Sequence, residues 1–171
     1  HALLSSLGTY PPYFSRLAAD NREGPGEPGP AVLTPLGAAE VFGLRHQGAE
    51  VVDVRPTADY AAGHLKGSLA IPLRGVFATW LGWLLPDPDA PIVIVRNPDQ
   101  DPEEIIWQAR KVGYSRIVGE LAGGVAAWAT AGEALQATPL ADPARVDPAT
   151  VVDVRQRSEY AAGHVPGARN V

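Results

Sequence analysis

Two stretches hold side chains whose types and spacing could do chemistry. The first, VVDVRPTADYAAGH (51–64), brings two carboxylates (Asp53, Asp59), a guanidinium (Arg55) and an imidazole (His64) into a short span. Such a polar constellation could be catalytic, because carboxylates and imidazoles exchange protons. The second is PIVIVRNPDQDPEEI (91–105). An apolar run ends at Arg96, a polar loop follows (Arg96, Asn97, Pro98, Asp99, Gln100, Asp101), and a helix begins. Junctions of this kind hold the reacting groups in many α/β enzymes.

Each stretch also has a plainer reading. In the first, Asp53 supports a turn after a strand, Arg55 pairs with Asp59, and His64 bonds loop backbone, which makes the four a structural polar cluster. In the second, Asp101-Pro102-Glu103-Glu104 reads as a helix cap, with Asp at N-cap, Pro at N1 and Glu at N3, a variant of the capping box. The acidic side chains then sit at the positive end of the helix dipole, each contributing about 0.3–1 kcal/mol.

Composition narrows the chemistry. The chain of 171 residues contains neither Cys nor Met. Without Cys there is no disulfide, thiolate nucleophile or thiolate metal site. The four histidines (His1, His46, His64, His164) show no i, i+2 or i, i+4 pairing, so no metal site and no cofactor is expected. A formal net charge of -5 without a basic run argues against nucleic acid as a partner. No apolar stretch reaches the roughly 18–20 residues of a membrane helix, and no signal-peptide pattern is present, so a cytoplasmic location is expected. A start at His1 without Met predicts a piece of a longer polypeptide. The expected partners are therefore neighbouring domains of that polypeptide, with a homo-oligomer left open.

The elements that must position these residues follow from periodicity. Residues 151–164, VVDVRQRSEYAAGH, repeat 51–64 in register, and a glycine follows each (Gly67, Gly167). In the first copy, strands are expected at 31–35, 49–54, 69–73, 92–95 and 116–120. Helices are expected at 36–47, 57–62, 76–85, 102–112 and 123–131. Alternating β and α with nearly continuous apolar strands predicts an α/β fold, a parallel sheet covered on both faces. Trp107 and Trp128 are assigned to core packing over the sheet. Trp80 and Trp83 lie on a helix apolar nearly all round, which points to burial, with a contact to a neighbouring domain as the second reading. Gly123-Gly124 is a turn into the last helix rather than a phosphate loop, since no GxGxxG or Walker pattern surrounds it.

Three segments result. Residues 1–30 form an N-terminal helical segment and a Pro/Gly-rich linker (REGPGEPGP, 22–30), residues 31–134 one whole module, and residues 135–171 a connector with the beginning of a second repeat. The strand of that second repeat must be disordered, pair with an edge strand, or swap with another chain.

VVDVR (51–55), Asp59-Tyr60, GHLKGSLAIPL (63–73), PIVIV (91–95), Gly113-Tyr114 and LAGGVAAW (121–128) together resemble the rhodanese-like (sulfurtransferase) domain. The resemblance implies a five-stranded parallel sheet with helices on both faces. It also implies a cysteine directly after the fourth strand, in a loop with a Gly and an Arg whose N–H groups hold a persulfide. Counted back from Gly113-Tyr114, the Cys position is Arg96, the Gly position Asp99 and the Arg position Asp101. A guanidinium, with a pKa above about 12, is no nucleophile. The resemblance therefore implies an inactive module with no catalytic residue, the loop 96–101 being a degenerate active site. TYPPYFSRLAADNREGP (9–25) is similar to the segment that joins a metallo-β-lactamase-type domain, as in persulfide dioxygenases, to rhodanese domains in bacterial fusion proteins. No HxHxDH metal motif is present.

Overall fold

The computed structural model describes residues 13, 14, 22, 31–142 and 145–171. The expected N-terminal helical segment and the linker 22–30 lie almost wholly outside the described residues. By backbone contacts the chain divides after Thr138 into two units.

In the first unit, Pro35–Leu36 (β1), Glu50–Asp53 (β2), Leu69–Ala70 (β4), Ile92–Val95 (β5) and Ile117–Leu121 (β6) form one sheet in the order β1-β6-β5-β2-β4. Every neighbouring pair is parallel. Ala38–His46 (α1), Thr57–Ala62 (α2), Phe77–Leu84 (α3), Pro102–Arg110 (α4) and Gly124–Thr130 (α5) connect the strands. His64–Leu65 (β3) pairs antiparallel with Leu135–Gln136 (β7), so the stretch read as connector from residue 135 begins with a strand.

Strand alternation divides the core in two. Val52, Val54, Ile92 and Ile94 pack on one side with Phe77, Leu81, Ile105, Ile106 and Tyr114. Val51, Val93 and Val95 pack on the other with Val41, Leu65, Leu121 and Trp128. Strands buried on both faces carry no polar side, which is why β5 reads as an unbroken IVIV.

Several expectations are corrected. The first strand is displaced from 31–35 to 35–36, where Thr34 and Leu36 carbonyls accept the N–H groups of Glu120 and Ala122. Pro35, with no N–H to give, sits on the sheet edge where none is needed. The strand expected over 69–73 is regular only at 69–70, although Ile71 and Leu73 still donate to Asp53 and Val54. Trp107 is not core: it stands exposed on the outer side of α4, with the Lys111 ammonium 5.6 Å from its ring centroid. Helix α3 buries Phe77 and Leu81 but leaves Val76, Trp80 and Leu84 exposed in a stripe along one side. Trp128 is buried, as expected.

In the second unit, Val152–Asp153 (β8) pairs parallel with Arg169–Asn170 (β9), and Arg157–Ala162 (α6) lies between them in sequence. Of the three fates the sequence left open for this strand, disorder is not what the described residues show. The strand pairs within its own repeat, through bonds such as Arg169 N–H to the Val151 carbonyl at 3.0 Å.

Candidate functional site

The two candidate stretches meet at the C-terminal ends of β2 and β5, which pair from Glu50↔Ile92 to Asp53↔Val95. Asp53 closes β2 and Arg55 folds back upon it. The Arg55 Nε–H lies 2.9 Å from Asp53 Oδ1, Nη2 lies 2.6 Å from Oδ2, and the Arg55 N–H reaches Oδ1 at 3.1 Å. Nη2 also donates to the Gly63 carbonyl at 2.7 Å, and both side chains are buried. The expected Arg55–Asp59 pair is therefore wrong. The guanidinium is saturated by the nearer Asp53 fork and the end of α2, in the bidentate geometry that carboxylates favour.

His64 bonds backbone, though that of helix α2 rather than of a loop. Its Nδ1 lies 2.8 Å from the Tyr60 carbonyl, which can only accept, so Nδ1 carries the proton. The His64 ring stacks on Tyr60 with centroids 3.8 Å apart, and the Tyr60 hydroxyl donates to the Ser68 carbonyl at 2.8 Å. Asp53, Arg55, Tyr60 and His64 thus tie α2 to the strands on either side of it. Asp59 instead faces the second stretch: its Oδ2 accepts from Asn97 Nδ2 at 2.6 Å.

The loop after β5 is a turn closed by the Gln100 N–H on the Asn97 carbonyl at 3.1 Å, with Pro98 at the first central position, as its fixed φ favours. The Gln100 side chain braces it: Oε1 accepts the Asn97 N–H at 2.8 Å and Nε2 donates to the Val54 carbonyl at 2.7 Å. Pro98 and Asp99 are exposed. Asp101 is the N-cap of α4, its Oδ1 accepting the Glu103 N–H at 2.9 Å, with Pro102 at N1. The cap runs one way only. Glu104 at N3 makes no return bond to Asp101, so the box expected from the sequence is half formed.

Arg96 turns into this loop. Its Nε and Nη2 grip the carboxylate of Glu120 on β6, the Nη2–Oε1 bond being 3.0 Å. Its Nη1 faces the carbonyls of Gln100 at 2.9 Å, Asn97 at 3.3 Å and Pro98 at 3.5 Å. Sequence reasoning missed Glu120. The signal was one acid in the otherwise apolar end of β6, beside the strand that delivers Arg96. Among the described residues, no group of three or more His, Cys, Asp or Glu is placed to hold a metal, and no helix is long and apolar enough to cross a membrane.

A parallel five-stranded sheet between two helical layers, with a strand-loop-helix junction at its centre, defines the class. The family model of the rhodanese-like domain matches residues 38–131 and 136–171, and the chain belongs to that family. No curated protein matches the chain. Among solved structures, it is similar to the Alr3790 protein of Anabaena sp. at 23% identity, covering 61% of this chain and 94% of that one, with a TM-score of 0.52. The BH2092 protein of Bacillus halodurans matches at 20% identity over 61% of this chain and 77% of that one, with a TM-score of 0.50. A thiosulfate sulfurtransferase of Pseudomonas aeruginosa matches at 23% identity, covering 94% of this chain and 36% of that one, with a TM-score of 0.48.

Proposed function

We propose that residues 31–134 are a catalytically inactive rhodanese-like module of a sulfur-metabolism protein, with a structural role between neighbouring domains. The observation that carries this reading is Arg96: the chain has no Cys, and the position after β5 holds a guanidinium committed to Glu120 and the loop carbonyls. Asp99 and Asp101, on the same loop, add negative charge where an oxyanion or persulfide would have to sit. The exposed stripe Val76, Trp80 and Leu84 supports the interdomain role, since apolar surface of this kind marks contact sites. The upstream neighbour in this reading is a metallo-β-lactamase-type domain of the persulfide dioxygenase kind, suggested by residues 9–25. The second reading makes the chain part of an active sulfurtransferase whose catalytic Cys lies in the second repeat, outside this chain. The in-register recurrence of 51–64 at 151–164 favours it. A Cys at the position that the repeat offset assigns to Arg96, followed by Gly and Arg, would select this second reading.

The test is thiocyanate formation from thiosulfate and cyanide by the purified chain without added thiol. Neither the chain nor its Arg96→Cys variant is expected to exceed the uncatalysed rate, because the substitution leaves Asp99 and Asp101 in place. Turnover by the unmodified chain would overturn the inactive reading. Recovery in Arg96→Cys would overturn the account of the loop.

A further inference from the structure

The contacts of Arg96 describe a site with its own polarity. A guanidinium carries five N–H donors in one plane. Here Nε–H and one Nη2–H point at the two oxygens of Glu120, and the Nη1 hydrogens point at the carbonyls of Asn97, Pro98 and Gln100. Five acceptor oxygens therefore converge on one cation. Both charged partners are largely shielded, with side-chain exposures of 19% for Arg96 and 18% for Glu120.

The loop is shaped around this group. Its turn turns the Asn97 and Gln100 carbonyls inward. Pro98 has no N–H to offer an anion, and the Asn97 N–H is already taken by the Gln100 side chain. A lysine ammonium, compact and with three donors, could not span a carboxylate fork and three carbonyls at once.

We propose that residues 96–101 together with Glu120 form a guanidinium receptor in which Arg96 is the resident ligand. The cation at its centre sets the loop conformation, and an emptied receptor takes small planar cations of the guanidinium class rather than sulfur oxyanions. The inference rests on these contacts alone, so it stands or falls separately from the absence of sulfurtransferase activity.

The experiment empties the receptor. The Arg96→Gly chain is titrated with methylguanidinium chloride, and with sodium chloride and sodium thiosulfate as controls, while backbone amide NMR shifts are followed. Methylguanidinium should give saturable shifts confined to residues 97–101 and 120 that the unmodified chain does not show. Adding Glu120→Gln should weaken this binding roughly tenfold or more, since one charge of the fork is removed. No saturable response, an equal response in the unmodified chain, or comparable binding of thiosulfate would each overturn the proposal. Should Arg96→Gly fail to fold, the unmodified chain decides. The Arg96 Nη resonances should be separate and its Nε–H slow to exchange in about 0.5 M sodium chloride, in contrast to the exposed Arg74. Averaged Nη signals like those of Arg74 would sink it.

Discussion

Residues 51–71 and 151–171 are one motif in two settings. Locally the copies coincide. Arg55 and Arg155 each place Nη2 2.6 Å from the carboxylate of the aspartate two residues earlier. Tyr60 and Tyr160 donate to the carbonyls of Ser68 and Ala168 at 2.8 and 2.7 Å, and His64 and His164 stack on those tyrosines. Burial separates them. Val54 is 0% exposed and Val154 79%; Ile71 is 1% exposed and Val171 72%. In the first unit β2 has β5 on one side and β4 on the other, whereas among the described residues β8 pairs with β9 alone. The corner thus takes its shape from its own sequence, and its burial from strands far away in the chain.

The largest expected effect tests burial directly. Val54→Asp places an unpaired carboxylate in a closed core and should cost on the order of 4–5 kcal/mol or more. Val154→Asp places the same group in solvent and should leave stability within about 0.5 kcal/mol. Urea unfolding is followed by tryptophan fluorescence for the first unit, which holds all four tryptophans (Trp80, Trp83, Trp107, Trp128), and by the ring NMR signals of Tyr160 for the second. Equal losses from the two substitutions would show that the copies are not differently buried.

A smaller difference is expected from the ion pair. Asp53→Ala strands a buried guanidinium and should cost about 3–5 kcal/mol. The counterpart in the second unit, Asp153→Ala, whose partner Arg155 is about half exposed, should leave the fluorescence-monitored midpoint where it is. A midpoint that falls with Asp153→Ala would mean that the first unit depends on the second. Indifference to Asp53→Ala would remove the pair from the list of what holds the corner.

The comparison also explains what could be read in advance. Unbroken aliphatic runs made β2 and β5 legible, and Asp101-Pro102 announced the start of α4. The hydrogen bond from His64 to backbone was legible because both partners lie within four residues. Errors came where a partner was a matter of competition or of distance. Arg55 had two acids in reach, and strand geometry, invisible in the sequence, gave it to Asp53. Arg96 could be recognised as a missing nucleophile. Its positive role depended on Glu120, which lies 24 residues away and is brought near only by the pairing of β5 with β6. Trp107 was assigned to the core by residue type, but its place on the outer side of α4 follows from which face the sheet covers.

The smallest effect belongs to the exposed copy, where titration can be followed without unfolding the core. The Asp153 carboxyl is held below its ordinary pKa of 3.8, first by the hydrogen bond from the Arg155 side chain and next by the Arg155 N–H, while burial pulls the other way. A carboxyl depressed on folding adds stability that is fully present above its ordinary pKa. That stability fades as the pH falls below 3.8 through the folded value. The Asp153 contribution to the second unit's turn should therefore be constant near neutrality and should be lost only in acid. Carbon-detected NMR titration of the Asp153 carboxyl should give a midpoint below 3.8. Arg155→Leu should move that midpoint upward without fully restoring it, because the backbone N–H of residue 155 still donates to Oδ1. A midpoint at or above the ordinary value in the unmodified chain would mean that the fork is not formed in solution. The repeat would then have kept its sequence and lost its corner.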